Sequence, residues 1–186
     1  MNPLETNNQH PLRILLLEDL NEDIKLIERE IKKTIPDYKL HVVKNQDDFE
    51  EALNNFKPNL ILSDYLLPRF RGSDALTIVQ SQAPQIPFVF VTGTIDDEEM
   101  AAQTIIDGAS GFLLKRNLGR LSDVMNQALE LAAKQHKDEQ QLSQLQNQVE
   151  QQTHELVQYK KNLLAMHKQL EALQTQLNAK QDAADE

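Results

Sequence analysis

The sequence has no cysteine, and this absence excludes several kinds of chemistry. Without cysteine the chain forms no disulfide, offers no thiolate ligand to zinc and has no cysteine nucleophile. Long apolar runs are lacking too: the longest aliphatic stretch, Ile14–Leu17, is far shorter than the ~20 residues of a membrane-spanning helix. Residues Met1–His10 are polar and do not follow the pattern of a signal peptide. We therefore expect a soluble cytoplasmic protein without membrane attachment.

Positive charge is scarce as well. The chain has 19 lysine and arginine residues against 29 aspartate and glutamate residues, which gives a formal net charge of −10. Nucleic acids and anionic membrane surfaces attract surfaces rich in lysine and arginine. The composition therefore predicts neither nucleic acid nor membrane as a partner.

Glycine and proline are missing from the last 67 residues, since all five glycines and all seven prolines lie at or before Gly119. These two residue types interrupt helices, so their joint absence predicts one continuous helix. We divide the chain into a disordered N-terminus (residues 1–11), a globular domain (12–133), a coiled-coil helix (134–181) and a disordered tail (182–186).

Within the globular part, short apolar runs alternate with amphipathic stretches. Five runs are candidate strands: Arg13–Leu17, Leu40–Val43, Leu60–Ser63, Phe88–Thr92 and Gly111–Leu114. The intervening helical patterns are Asn21–Thr34, Asp47–Phe56, Ser73–Gln82 and Asp96–Asp107. Such alternation predicts an α/β fold with a five-stranded, parallel, doubly wound sheet. A closed eight-unit barrel is excluded, because it needs roughly 250 residues.

Polar groups follow four of these strands: Glu18 and Asp19, Asp64, Thr92, and Lys115. In open α/β sheets the carboxyl ends of the strands form the reactive crevice, so we expect these groups to converge. Clustered carboxylates favour a hard cation such as Mg²⁺, and a carboxylate can also act as a nucleophile towards phosphorus. An ammonium and a hydroxyl would help to neutralise a phosphoryl group.

Residues 12–120 resemble the receiver domain of two-component response regulators, a flavodoxin-like fold. The matching stretches are Ile14-Leu-Leu-Leu-Glu-Asp19, Leu60-Ile-Leu-Ser-Asp64-Tyr-Leu-Leu-Pro68, Gly72, Phe88-Val-Phe-Val-Thr92-Gly93 and Gly108-Ala-Ser-Gly-Phe-Leu-Leu-Lys115. The resemblance implies that Asp64 is the phosphoacceptor. It also implies that Mg²⁺ is held by Glu18, Asp19, Asp64 and the backbone carbonyl of Leu66.

The resemblance further implies a switch in which Lys115 pairs with the phosphoryl oxygens, Thr92 moves to bond one of them and Phe112 swings inward behind it. The phosphoryl group would come from a cognate sensor histidine kinase or phosphotransfer protein. No enzymatic activity is implied beyond autophosphorylation from a phosphodonor and autodephosphorylation. Family members usually carry a proline after the lysine, often with a cis peptide bond; Arg116 stands there instead, so we expect a trans bond.

The tail carries a heptad repeat that is typical of a coiled coil. Gln152 interrupts this apolar seam and is expected to fix its register, while Glu155 and Lys160 suit a pair between two parallel chains. We expect a parallel homodimer through ten apolar seam residues: Leu142, Leu145, Val149, Leu156, Tyr159, Leu163, Met166, Leu170, Leu173 and Leu177.

Three other interpretations compete with this one. The chain could be a constitutive coiled-coil scaffold whose receiver does not switch, or the N-terminal fragment of a longer hybrid sensor protein. An enzyme on a similar sheet is disfavoured: Leu66 occupies the place of the second aspartate of haloacid dehalogenase-type phosphatases, and no glycine-rich turn follows the first strand. The expected output is a change in protein–protein contacts.

Overall fold

The computed structural model describes the backbone of residues 11–93 and 104–182, and the side chains of this part up to residue 175. Apart from Pro11 and Asp182, the predicted disordered termini lie outside the described residues, as does most of the predicted helix Asp96–Asp107. Asp182 is the last residue of a helix, so the predicted start of the disordered tail was wrong at this residue. Residues 104–106 are helical.

A five-stranded parallel sheet forms the centre of the first part of the chain. Its strands, in the spatial order β2-β1-β3-β4-β5, are β1 (Leu12–Leu17), β2 (Tyr38–Val43), β3 (Leu60–Ser63), β4 (Phe88–Thr92) and β5 (Gly111–Leu114). This arrangement confirms the predicted doubly wound fold. β3 and β4 are buried along their whole length, which explains why they are continuous apolar runs rather than alternating ones.

Helices cover both faces of the sheet. They are α1 (Asn21–Thr34), α2 (Gln46–Asn55), α3 (Gly72–Gln82), a 3₁₀ helix at Lys115–Arg120, and the long helix α4 (Leu121–Asp182). The 3₁₀ helix was not predicted from the sequence. No cis peptide bond occurs among the described residues, so the predicted trans bond at Arg116 is confirmed.

The alternation of side chains along each strand divides the core into two layers. In β1, Leu15 and Leu17 pack with residues of α2 and α3, whereas Ile14 and Leu16 pack with residues of α1 and the first turns of α4. Successive residues of a strand point to opposite faces of the sheet, so each strand contributes alternate side chains to the two layers. The sheet edge that carries the strand ends is thereby held rigidly from both sides.

The chain divides into two compact units between His136 and Lys137. In the second unit, α4 is the only element among the described residues, and every described side chain from residue 137 to residue 175 is exposed. The side chain of the predicted seam residue Leu177 lies outside the described part. Within residues 11–93 and 104–182, no helix is long and apolar enough to span a bilayer.

Candidate functional site

The ends of β1, β3 and β5 bring three predicted site residues into direct contact. The ammonium nitrogen Nζ of Lys115 lies 2.7 Å from Oε2 of Glu18 and 2.8 Å from Oδ2 of Asp64. Glu18 is completely buried and Asp64 is only 7% exposed. These charges are therefore removed from water, and such groups need close partners of opposite charge.

A third carboxylate, which sequence reasoning missed, completes this contact. Oδ2 of Asp23 lies 2.6 Å from Nζ of Lys115. Asp23 belongs to the first turn of α1, where acidic residues are common because of the helix dipole. The signal that could have revealed its position is its place in a helix that begins only three residues after Glu18, at the same edge of the sheet.

Asp19, the other predicted metal ligand of the first strand end, is not a member of this group of carboxylates. It is half-buried, and its main-chain carbonyl accepts a hydrogen bond of 3.0 Å from Nζ of Lys44. Nζ of Lys44 also donates to Oδ1 of Asn21 at 2.8 Å, which ties the end of β2 to the loop after β1. The role of Asp19 in binding Mg²⁺ stays a prediction.

The carboxylate of Asp64 is held from two directions. Its Oδ1 accepts hydrogen bonds from the backbone N–H groups of Tyr65 at 2.6 Å and Leu66 at 3.3 Å, while Oδ2 faces Lys115. The backbone N–H of Asp64 donates to the carbonyl of Leu17 at 2.9 Å, which fixes the residue beside the end of β1. The side chain of Leu66 itself is 55% exposed at the rim of the site.

Gly72 is required by the close approach of α3 to Asp64. A Cβ atom at this position would collide with the carbonyl oxygen of Asp64 and would lie 2.8 Å from Cε1 of Phe90 and 3.0 Å from Oγ of Ser63. That hydroxyl donates to the same carbonyl oxygen at 2.7 Å. The β3–α3 connection is therefore packed tightly behind the proposed phosphoacceptor.

The two predicted switch residues lie on neighbouring strands: Thr92 ends β4, and Phe112, which pairs with Phe90, lies two residues before the end of β5. Oγ1 of Thr92 is buried and has no hydrogen-bond partner among the described residues. Phe112 is half-buried and packs against the core layer that contains Phe88 and Phe90. A buried hydroxyl without a partner is uncommon in folded proteins, and a phosphoryl oxygen would supply the missing acceptor.

Electrostatics keep the ammonium of Lys115 charged. Burial alone would lower the pKa of Lys115, but hydrogen bonds to Asp23, Asp64 and Glu18 outweigh this effect and raise it. For Glu18 the balance is reversed: burial raises the pKa of its carboxyl above the ordinary value of 4.5, although hydrogen bonds from Lys115 and the backbone N–H of Leu20 act against it. The site therefore combines a firmly charged lysine with a buried, weakly acidic glutamate.

The donor set fits a hard divalent cation. Glu18, Asp23 and Asp64 each offer a carboxylate oxygen, and these oxygens all lie within 4.8 Å of one another. Mg²⁺ takes oxygen ligands and tolerates few protein groups, since it retains several waters. Three carboxylates against a single ammonium also leave an excess of negative charge when all are ionised, which favours binding of a cation.

The chain is similar to known proteins. A family model described as the response regulator receiver domain matches residues 14–130. The regulatory protein LuxO of Vibrio cholerae serotype O1 is 34% identical over 105 residues, which make up 55% of this chain and 22% of LuxO. The chain thus spans about a fifth of the length of the LuxO relatives that it matches. The transcriptional regulatory protein DegU of Brevibacillus brevis is 27% identical over 115 residues, which are 60% of this chain and 47% of DegU.

A solved structure agrees with these matches. The crystal structure of the signal receiver domain of a putative LuxO repressor protein from Vibrio parahaemolyticus superposes with a TM-score of 0.61 at 26% identity, covering 69% of this chain and 98% of that one. This similarity supports the fold described above. The family model, which spans more than half of the chain, settles the classification: the protein belongs to the response regulator receiver domain family.

Proposed function

We propose that this protein is a phosphorylation-dependent response regulator in which Asp64 accepts a phosphoryl group. The observation that carries the proposal is the way the Asp64 carboxylate is held, with Oδ1 on two backbone N–H groups and Oδ2 on the ammonium of Lys115. These contacts fix the orientation of the carboxylate beside the ammonium that would neutralise the transferred group. Positioning of this kind accounts for most of the catalysis in phosphoryl transfer.

In the proposed reaction, an oxygen of Asp64 forms a bond to the phosphorus of a phosphohistidine on a partner protein. The phosphorus–nitrogen bond breaks, and the imidazole nitrogen leaves with the electron pair of that bond. Lys115 neutralises charge on the transferred group. When Mg²⁺ is bound, it supplies further charge neutralisation. Glu18 and Asp64 would hold the ion, and family resemblance adds Asp19 and the carbonyl of Leu66.

The partners proposed for the receiver are a sensor histidine kinase or a phosphotransfer protein, the classes that receiver domains interact with. We propose that the cytoplasm is the site of this exchange and that the protein performs no catalysis apart from its own phosphorylation and dephosphorylation. After phosphorylation, the Thr92 hydroxyl would bond a phosphoryl oxygen, and Phe112 would move inward. Two populated states that bind partners differently are sufficient for such a switch.

The second unit is proposed to form a parallel homodimer. Its apolar seam residues are exposed in the single chain, for example Leu156 at 69%, Leu163 at 65% and Leu173 at 61%. A one-sided stripe that repeats every seven residues is covered when a second helix supplies the same stripe. Glu155 and Lys160 occupy positions that form an ion pair across a parallel dimer, which supports this orientation.

The test is the intact mass of the protein after incubation with Mg²⁺ and acetyl phosphate. We expect one added phosphoryl group in the wild type and in Asp74→Asn, and none in Asp64→Asn. Asp74 is a matched control, because it is an exposed aspartate in the first turn of α3. An adduct that persists in Asp64→Asn would contradict the proposal.

A second measurement separates a switch from a constitutive scaffold. The dimer dissociation constant and the binding of a candidate partner are compared before and after phosphorylation. A change in either quantity supports switching through protein contacts. Identical values for both states, in a protein that does take up a phosphoryl group, would identify a scaffold whose receiver has no effect on assembly.

A further inference from the structure

The ammonium of Lys115 has exhausted its hydrogen-bonding capacity. A lysine ammonium has three N–H donors, and Nζ of Lys115 has three carboxylate partners: Glu18, Asp23 and Asp64. The distance to Asp23, 2.6 Å, is the shortest of the three. No donor of Lys115 is therefore available for a new acceptor without a change at one of these carboxylates.

The three carboxylates differ in where they come from. Glu18 and Asp64 follow strands of the sheet and are almost completely buried, whereas Asp23 is supplied by the first turn of α1 and its side chain is 22% exposed. Glu18 and Asp64 are also the residues that the family resemblance assigns to Mg²⁺ and to the phosphoryl group. Asp23 lies close enough to contribute to a cation site, but the resemblance gives it neither role, so it is the carboxylate that can keep its bond to Lys115 while the other two engage new partners.

A lysine side chain is long and flexible, and its charged end is readily hydrated. Without Asp23, the ammonium would be held only by the two groups whose bonding changes during phosphoryl transfer. The first turn of α1 thus provides the most exposed of the three carboxylate partners of the ammonium.

We propose that Asp23 is a positioning residue that holds the Lys115 ammonium beside Asp64 during phosphoryl transfer. This inference rests on the proposed function, because it concerns the step that Lys115 assists. Asp23 acts through Lys115 and has no direct role at the phosphorus.

The test is a double-mutant cycle on the full chain with Asp23→Asn, Lys115→Met and both substitutions together. The rate of phosphoryl incorporation from acetyl phosphate is measured at saturating Mg²⁺ by intact mass. We expect Asp23→Asn to slow incorporation about tenfold, which is the scale of one lost hydrogen bond between charged groups. We expect the double variant to match Lys115→Met, because an anchor has no effect once the group that it holds is gone.

Glu22→Gln is the matched control. Glu22 lies in the same helix turn, is exposed and carries the same charge, so this variant removes an equal charge without touching the contact at issue. We expect its rate to stay within about twofold of the wild type, and circular dichroism at the assay temperature to show that both this variant and Asp23→Asn remain folded. Equal rates for Asp23→Asn and Glu22→Gln would overturn the proposal. So would a loss in the Lys115→Met background as large as in the wild type, which would mark Asp23 as a direct metal ligand instead.

A second readout does not depend on phosphorylation. Nuclear magnetic resonance of the Lys115 Nζ–H₃ group reports how strongly its protons are protected from exchange with water. We expect a protected signal in the wild type and in Glu22→Gln, and a loss of protection in Asp23→Asn. If the wild type took up no phosphoryl group, the proposed function would fail while this loss still showed the anchor. Equal protection in wild type and Asp23→Asn would overturn the anchor whatever the phosphorylation result.

Discussion

The two units of this protein differ in which kinds of side chain they bury and which they expose. At the sheet edge of the first unit, charged residues are buried or half-buried, and each acid of the cluster contacts the same lysine. In the second unit, apolar residues are exposed along the described part of the helix, from Leu142 at 58% to Leu173 at 61%. The first unit pairs the charges of this cluster within one chain, whereas the second leaves apolar surface that only another molecule can cover.

This difference in burial indicates which functions each unit can perform without a partner molecule. Burying a leucine side chain stabilises a protein by roughly 1.5–3 kcal/mol. Covering an exposed stripe of leucines therefore provides a large favourable free energy of association. A buried charge cluster has the opposite character, because removal of Lys115 would leave three carboxylates without compensation. We therefore expect substitutions in the second unit to affect assembly and substitutions in the first to affect stability and chemistry.

The largest expected effect concerns the seam of the helix. Leu163→Glu places a charge at the proposed dimer interface in both chains, and we expect the dissociation constant to rise by roughly a thousandfold, or about 4 kcal/mol. Sedimentation velocity over a range of concentrations measures this change. Leu164→Glu is the control, since the same substitution falls one position outside the seam. If both variants dissociate equally, the heptad seam is not the interface.

Next in size is the effect of a methyl group at Gly72. Gly72→Ala would push against the carbonyl of Asp64 and against Phe90, and we expect a loss of about 2–3 kcal/mol in unfolding free energy. Denaturant unfolding measures this loss. Gly119→Ala is the control, because a Cβ there meets nothing within 4 Å. Dimerisation through the helix should be unchanged in both variants, and a weaker dimer in Gly72→Ala alone would show that the two units do not act independently.

A smaller effect arises from Glu18, whose pKa is raised by burial. A carboxyl with a raised pKa in the folded state binds a proton more readily there than in the unfolded chain, so it stabilises the fold as the pH falls. In Mg²⁺-free buffer, we expect the wild type to gain unfolding free energy relative to Glu18→Gln as the pH falls from 7 towards 4.5, the ordinary glutamate value. A difference that stays constant over this range would contradict the raised pKa.

The smallest expected effect concerns the polar residue in the seam. Gln152→Leu should strengthen the dimer by about 1 kcal/mol, because an apolar residue replaces a polar one at a core position. The same change should weaken the preference for one register. Disulfide trapping with a cysteine introduced at residue 153, which the cysteine-free chain permits, would detect mixed registers. Parallel, in-register crosslinks at undiminished yield in Gln152→Leu would show that Gln152 does not set the register.

The elements of the fold were largely predictable from the sequence. Strands β3, β4 and β5 were predicted with the bounds that the structure has, because buried parallel strands are continuous apolar runs between loops. The edge strand β2 begins at Tyr38 rather than Leu40, since polar residues such as Lys39 are tolerated on an exposed strand and weaken the apolar signal. The 3₁₀ helix at Lys115–Arg120 was missed, because such short helices have little periodicity of their own.

The sequence by itself determined the sheet and the groups at its edge, because strand periodicity decides which residues end each strand, and parallel strands end on one side. Only the tertiary structure decided which acids contact the lysine. Asp23 lies 92 residues from Lys115 along the chain, and Asp19 is much closer to the end of β1, yet Asp23 makes the contact. The reason is that the packing of α1 against the sheet sets the direction in which its side chains point. The local sequence of α1 does not encode how this helix lies relative to β5.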